Sequence, residues 1–103
     1  MIRAGESYYP THPGEVLKDE IEYRGISQRE LALFMGVSPT AFNEVLNAKR
    51  ALSEELALRI EDALGLPADT LLKMQAKYNM RIARQKHTTI SRFNYIPKRV
   101  AAI

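Results

Sequence analysis

Residues 28–47, QRELALFMGVSPTAFNEVLN, decide the fold of this chain. Ser27 and Ser38 each stand before a run with helical spacing, where a serine hydroxyl caps the free amides of a first turn. Gly36 separates the two runs at a point where a sharp turn requires a positive φ, which glycine adopts without steric cost. Ala32 is small where two helices would cross closely. Two short helices joined in this way form a helix-turn-helix motif, and its apolar contacts are predicted to come from Leu31, Met35, Val37, Phe42 and Val45.

Three more helices are predicted around this motif, so the expected fold is all-α: a five-helix bundle containing the helix-turn-helix, with an extended C-terminal tail. Apolar spacing places the five helices at about residues 13–24, 28–35, 39–46, 54–64 and 68–85. Prolines or serines stand at the starts, and Gly25, Gly36 and Gly65 stand at three of the ends, as each residue type favours. The first helix is expected to face the core with Val16, Leu17 and Ile21.

A change of composition divides the chain into an N-terminal arm at 1–12, the helix-turn-helix domain at 13–86 and a C-terminal tail at 87–103. The tail is rich in β-branched and aromatic residues that alternate loosely with polar ones, and neither face is cleanly apolar. Two interpretations of it stay open: an extended arm that becomes ordered on a partner, or a frayed terminal segment.

The net charge of +3 conceals an uneven distribution of charges along the chain. Residues 1–72 hold seven basic and all twelve acidic residues, a net charge of −5, whereas residues 73–103 hold eight basic residues and no acidic one. The segment with the helix-turn-helix is therefore acidic. The basic third has three open interpretations: phosphate contacts, binding of an acidic partner, or a solvated helix face, which we favour for Lys73, Lys77, Arg81 and Arg84.

The size and composition of the chain exclude several classes of protein. With 103 residues it supports one compact core. The absence of cysteine excludes a disulfide scaffold, a zinc finger and a thiol nucleophile together. No apolar stretch approaches the roughly 18 residues that span a bilayer, and the N-terminus lacks the apolar core of a secretory signal. We therefore expect a cytoplasmic protein without membrane contact.

The sequence gives little support to an enzyme. His12 and His87 are far apart, and the HExxH pairing, a glycine-rich phosphate loop and a nucleophile elbow are all absent from the sequence. Glu61 and Asp62 are adjacent on a helix and face different directions, so they form no carboxylate pair. We expect no catalytic residue, no metal site and no cofactor.

The outer face of the third helix carries Thr40, Asn43, Glu44 and Asn47, which are short and mostly uncharged. A plain five-helix bundle would explain the apolar residues of the motif but not this face, because a solvated face usually carries Lys and Glu. Side chains with directional hydrogen bonds read base edges: Asn43 suits adenine, Glu44 suits the amino group of cytosine, and Thr40 suits a thymine methyl or another base edge. The face therefore predicts a DNA-binding helix.

Contacts to the DNA backbone are predicted at both ends of the motif. Ser38, beside the exposed amides that begin the third helix, suits a phosphate or the nearest base, and Gln28 would clamp the backbone. Lys49 and Arg50 follow the third helix and are the strongest candidates for phosphate contacts in the acidic part of the chain. The predicted DNA-binding residues are Gln28, Ser38, Thr40, Asn43, Glu44, Asn47, Lys49 and Arg50.

Leu33 and Phe34 occupy positions of the second helix that usually face water in such a motif. Phe34 lies three residues after Leu31, so it either reaches the core or joins Leu33 in an exposed apolar pair. An exposed pair would be a contact surface for the tail, a second subunit or another protein, because exposed apolar clusters tend to mark contacts.

Several segments between residues 11 and 85 carry a family resemblance: THPGEVL at 11–17, ISQRELA at 26–32, GVS at 36–38, LNAKR at 46–50, LALRI at 56–60 and QAKYNMRIARQ at 75–85. This part of the chain resembles the HigA-type antitoxins of the phage-repressor-like (XRE) helix-turn-helix class. The resemblance implies a repressor-like bundle in a bacterial antitoxin that neutralises a HigB-like ribonuclease toxin of RelE-like fold. It also implies a homodimer that represses its own operon on a palindromic double-stranded operator. Carried over by position, the DNA-facing residues are Gln28, Ser38, Thr40, Asn43 and Asn47.

The chain departs from the family pattern at two places. The fifth helix begins with Thr70, Leu71 and Leu72 where the family often has aromatic residues, so different packing is expected there. The segment after Gln85 matches no family pattern. A stand-alone repressor of the same class, without a toxin partner, is the alternative, since its DNA motif would be identical.

Overall fold

The computed structural model describes residues 11–94, and five α-helices make up its regular structure. They are α1 (Pro13–Tyr23), α2 (Gln28–Met35), α3 (Pro39–Leu46), α4 (Glu54–Leu64) and α5 (Ala68–Lys86). Residues 87–94 form neither helix nor strand and are exposed. The predicted all-α, five-helix architecture is confirmed. The predicted arm at 1–12 and tail at 87–103 fall largely outside the described residues.

Side-chain caps define the starts of three helices. The hydroxyls of Ser27, Ser38 and Ser53 accept hydrogen bonds from backbone amides three residues further on, at 3.2, 3.3 and 3.2 Å respectively. α2 and α4 end in the left-handed conformation at Gly36 and Gly65. These caps are local in sequence, which explains why the predicted helix bounds agree with the structure to within a residue.

The core lies where α3 meets α1 and α2, and it continues between α4 and α5. α1 also packs on α5, and α2 packs on α4. Ala32 is fully buried, as expected for the point where α2 and α3 cross. The largest completely enclosed apolar side chains are those of Leu17, Phe42, Val45, Leu46 and Ile60.

The expectation that Val16 is buried is wrong, and one of the two alternatives for Phe34 is excluded. Val16 is 40% exposed, because it lies about 100° around α1 from Leu17, which faces the core. Phe34 is 80% exposed and Leu33 is 57% exposed, so Phe34 does not reach the core. In α2 the buried positions are Leu31, Ala32 and Met35, and Phe34 lies outside that face.

The N-terminus of α1 is anchored by His12. Its Nδ1 atom accepts a hydrogen bond from the Gly14 amide at 2.9 Å, and its Nε2 atom, which then carries the proton, donates to the Arg50 carbonyl at 3.1 Å. The ring also meets the Tyr78 ring edge-on, with centroids 4.9 Å apart. His12 is thus the cap of α1, and it connects α1, α5 and the loop after α3.

Candidate nucleic-acid interface

The turn between α2 and α3 is held from both sides. Within the turn, the Val37 amide donates to the Ala32 carbonyl at 2.9 Å. From α4, the Arg59 guanidinium donates to the Met35 carbonyl at 2.6 Å while its Nε contacts Glu55 at 2.9 Å. These bonds satisfy carbonyl groups that the end of a helix leaves without a partner. They fix the angle at which α3 leaves the turn.

The outward face of α3 carries polar side chains that were predicted from sequence to bind DNA. Thr40, Asn43 and Asn47 are exposed. Thr40 and Asn43 line a shallow depression together with Gln28, which is the first residue of α2, and with Arg29 and Pro39. The structure therefore brings the polar residues of α3 and the N-terminus of α2 onto one surface.

Four polar side chains on this surface form a continuous hydrogen-bond chain. The Lys18 ammonium of α1 donates to Asn47 Oδ1 at 2.9 Å. Asn47 Nδ2 donates to the Asn43 backbone carbonyl at 2.9 Å and to Asn43 Oδ1 at 3.2 Å. Asn43 Nδ2 donates to Gln28 Oε1 at 3.2 Å. Three helices thus contribute to one network, which we call the amide chain: Lys18, Asn47, Asn43 and Gln28.

Glu44 and Arg50 form an ion pair at the edge of the same face. Both Nε and Nη2 of Arg50 donate to Glu44 Oε1, at 3.1 and 2.7 Å. Both side chains are well exposed, so the pair adds little to stability. The pair instead holds the Arg50 guanidinium beside Glu44 of α3, and Glu44 Oε1 already accepts hydrogen bonds from it. The contact of Glu44 with cytosine remains a prediction.

The loop that presents Lys49 and Arg50 is joined by hydrogen bonds to α3 and α5. Ala48 has a positive φ of 60°, and the Lys49 amide donates back to the Glu44 carbonyl at 2.8 Å, which closes the end of α3. Buried Gln75 of α5 accepts from the Leu52 amide at 2.8 Å. Within residues 11–94 the Lys49 side chain is exposed and has no ion-pair partner. Its charge is therefore available to a phosphate.

The remaining predicted residues lie at the start of α3 and on α2. Ser38 uses its hydroxyl oxygen to cap the Ala41 amide, so its hydroxyl hydrogen is the group left for a ligand. Leu33 and Phe34 are exposed on α2 and take no part in the amide chain.

Two residues that support this surface, Lys18 and Gln75, were not predicted from the sequence to do so. Lys18 lies 29 positions before Asn47, and Gln75 lies 23 positions after Leu52. Each contact depends on how distant helices pack. The available signal was weak: Gln75 falls on the apolar face of α5, where a polar residue must find a partner once buried.

No helix among residues 11–94 combines the length and apolar character needed to cross a membrane. This agrees with the lack of a long apolar stretch in the sequence.

Comparison with known proteins places the chain in a family. Residues 17–71 match the family model described as Helix-turn-helix. A Dichelobacter nodosus protein named virulence-associated protein I is 35% identical over 92 residues, covering 87% of this chain and 85% of its own length. Together with the geometry of α2 and α3, these matches show that the chain belongs to the XRE-type helix-turn-helix family.

Solved structures extend the comparison to antitoxins. An antidote protein of a plasmid maintenance system from Nostoc punctiforme is 34% identical, with a TM-score of 0.73 over 78% of this chain and 88% of that one. The Pseudomonas aeruginosa antitoxin HigA, solved with the higBA promoter, is 29% identical, with a TM-score of 0.71 over 76% of this chain and 86% of that one. The structural neighbours of the chain thus include antitoxins, some of them of the HigA family.

Proposed function

We propose that the chain binds double-stranded operator DNA by placing α3 in the major groove. The observation that carries this proposal is the amide chain on the outward face of α3, beside the loop that presents Lys49, which has no ion-pair partner within residues 11–94. Amide side chains can bind base edges through paired hydrogen bonds. A helix that only faces water does not require several amide side chains that are hydrogen-bonded to one another. The Pseudomonas aeruginosa antitoxin HigA, solved with the higBA promoter, supports DNA binding by a protein of this fold.

Each predicted residue has a defined role in this proposal. Asn43, with Thr40, Glu44 and Asn47 beside it, reads base edges, and Ser38 and Gln28 contact the backbone at the helix starts. Lys49 and Arg50 contact phosphates. Replacing Lys49 by alanine should weaken binding to specific and random DNA alike, because a phosphate carries no sequence information.

We infer a symmetric homodimer on an inverted-repeat operator. Two copies of α3 in successive major grooves lie about 34 Å apart. A footprint that shows protection on DNA without an inverted repeat would contradict this geometry.

We further propose that the chain is a cytoplasmic bacterial antitoxin that represses its own operon and neutralises a HigB/RelE-like ribonuclease. The antidote structure from Nostoc punctiforme supports the antitoxin class. The acidic residues of α1 and α4 give these helices the charge that complements a basic ribonuclease.

The decisive test combines two measurements: co-purification with the product of the neighbouring reading frame, followed by a gel-shift assay on DNA from upstream of the operon. An antitoxin should co-purify with a small basic protein and shift this DNA. A shift without any co-purified partner would favour the second candidate, a stand-alone XRE-family repressor.

We propose that the exposed pair Leu33 and Phe34 is a contact surface for a second subunit or for the toxin. Leu33→Glu should weaken self-association or co-purification of the toxin while leaving the melting temperature nearly unchanged, because Leu33 is outside the core. A large loss of melting temperature would assign the pair to the fold instead.

A further inference from the structure

Lys18 occupies an unusual place for a residue that touches the DNA-facing surface. It belongs to α1, which is not part of the helix-turn-helix, yet its ammonium lies 2.9 Å from Asn47 Oδ1 at the end of α3. None of the roles proposed above includes it.

Lys18 and the Asn43 backbone carbonyl together orient the amide groups of the amide chain. An ammonium group only donates, so Asn47 must present Oδ1 to Lys18 and turn Nδ2 towards Asn43. Asn43 must then present Oδ1 to Asn47, which turns its own Nδ2 towards Gln28. The Asn43 backbone carbonyl, which only accepts, also binds Asn47 Nδ2 at 2.9 Å, so Lys18 reinforces an orientation that this bond already favours.

The fixed orientation leaves the groups that DNA requires. Asn43 retains one N–H and one oxygen lone pair, the combination that binds N7 and N6 of adenine together. Gln28 uses its oxygen on Asn43 and keeps both amide hydrogens, which have no partner within residues 11–94 and suit a phosphate.

We propose that Lys18 is a positioning residue for base recognition, which stabilises the orientation of Asn43 and Gln28 through Asn47. This inference rests on the proposed function of α3. A positive charge at the end of a hydrogen-bond chain also polarises the bonds that follow it, which strengthens the donors at the far end.

The surroundings of Lys18 argue against a direct phosphate contact. Lys18 lines an open depression between α1 and the end of α3 that also contains Glu15 and Asp19. Two carboxylates beside the ammonium repel phosphate, and one ammonium hydrogen is already used on Asn47. The site suits a group that orients a neighbour better than one that binds the DNA backbone.

The test compares Lys18→Met with Lys73→Met, a matched loss of charge at an exposed position of α5. The probes are a duplex that the wild-type protein selects from a random library and a scrambled duplex of equal length. Lys18→Met should lose about tenfold in affinity for the selected duplex and nothing on the scrambled one, and its base preference at the Asn43 position should relax. Lys18→Arg still donates a hydrogen bond, so it should keep the wild-type base preference. Lys73→Met should also keep this preference, and any loss of its affinity should be the same on both duplexes.

A second readout needs no DNA. In nitrogen–proton correlation spectra, the side-chain amide signals of Asn47 and Asn43 should shift in Lys18→Met and stay in place in Lys73→Met, at equal melting temperatures. An unchanged base preference in Lys18→Met would overturn the inference. Equal losses of affinity on both duplexes would also overturn it if the salt dependence of binding had a slope lower by about 0.9, because that is the sign of a lost phosphate contact. A wild-type protein that selects no sequence would instead overturn the proposed function, and the inference with it.

Discussion

At the scale of single residues, Gly14 marks the place where α1 and α3 meet backbone to backbone. A Cβ atom on this residue would collide with the Val45 carbonyl oxygen and lie 3.0 Å from the Leu46 Cα atom. Gly14→Ala should therefore lower the free energy of unfolding by about 1–3 kcal/mol, the usual cost of an overpacked contact. Urea denaturation measures this, and Val16→Ala, at a partly exposed position of the same helix, should change it much less. Equal effects of the two substitutions would show that the contact gives way easily.

His12 makes the stability of the fold depend on pH. Burial lowers the pKa of His12 below its ordinary value of 6.5, more than the Arg50 carbonyl and Glu15 raise it. The unfolded chain thus binds a proton more readily than the folded one, so stability is complete above pH 6.5 and declines as the pH falls below that value. The neutral ring is also required because its Nδ1 atom accepts the Gly14 amide.

The measurement is the urea midpoint at pH 7.5 and pH 5.5 for the wild type and for His12→Asn, whose side chain caps a helix at either pH. The wild type should lose stability over this interval, and the variant, although weaker at pH 7.5, should lose less. A parallel decline of both proteins would assign the pH effect to other groups.

At the scale of elements, Gln75 connects α5 to the loop that carries Lys49. Its side-chain oxygen accepts the Leu52 amide in a buried position, and its nitrogen donates to Asn79 at 2.9 Å. Gln75→Ala should cost about 1–3 kcal/mol of unfolding free energy, because a buried N–H would lose its acceptor. Asn79→Ala removes only the second bond and should cost less. Thermal unfolding distinguishes them, and a harmless Gln75→Ala would show that water replaces the acceptor.

The elements themselves were predictable because their signals are local. Ser27, Ser38 and Ser53 act within three residues, and Gly36 and Gly65 end their helices by their own φ angles. The outward face of α3 was also predictable, since helical spacing alone groups Thr40, Asn43 and Asn47. The role of these residues in DNA binding is still a prediction.

The contacts that could not be predicted from the sequence join helices that are distant along the chain. The bond from Lys18 to Asn47 and the close approach of Gly14 to Val45 both require the angle at which α1 crosses α3. Helical spacing in one segment carries no information about that angle. For the same reason, Val16 was assigned to the core when α1 is rotated so that Leu17 and Ile21 fill it.

At the scale of the whole molecule, the positive charge is concentrated in the part of the sequence that follows the helix-turn-helix. Residues 73–103 hold eight of the fifteen basic residues and none of the acidic ones. If base recognition depends on the residues on the outward face of α3, deletion of residues 87–103 should leave the preference for the selected duplex over the scrambled one unchanged. Any loss of affinity should be the same on both duplexes and larger at low salt than at high salt. A loss of preference on deletion would place specificity in the tail.

The central claim, that α3 reads base edges through Asn43, is tested most directly by fluorescence anisotropy of wild-type protein and Asn43→Ala on the selected and scrambled duplexes. Replacing Asn43 should cost about 1–3 kcal/mol on the selected duplex, roughly a 5- to 150-fold loss of affinity, with little change on the scrambled duplex. An equal loss on both duplexes, or no loss on either, would contradict the claim.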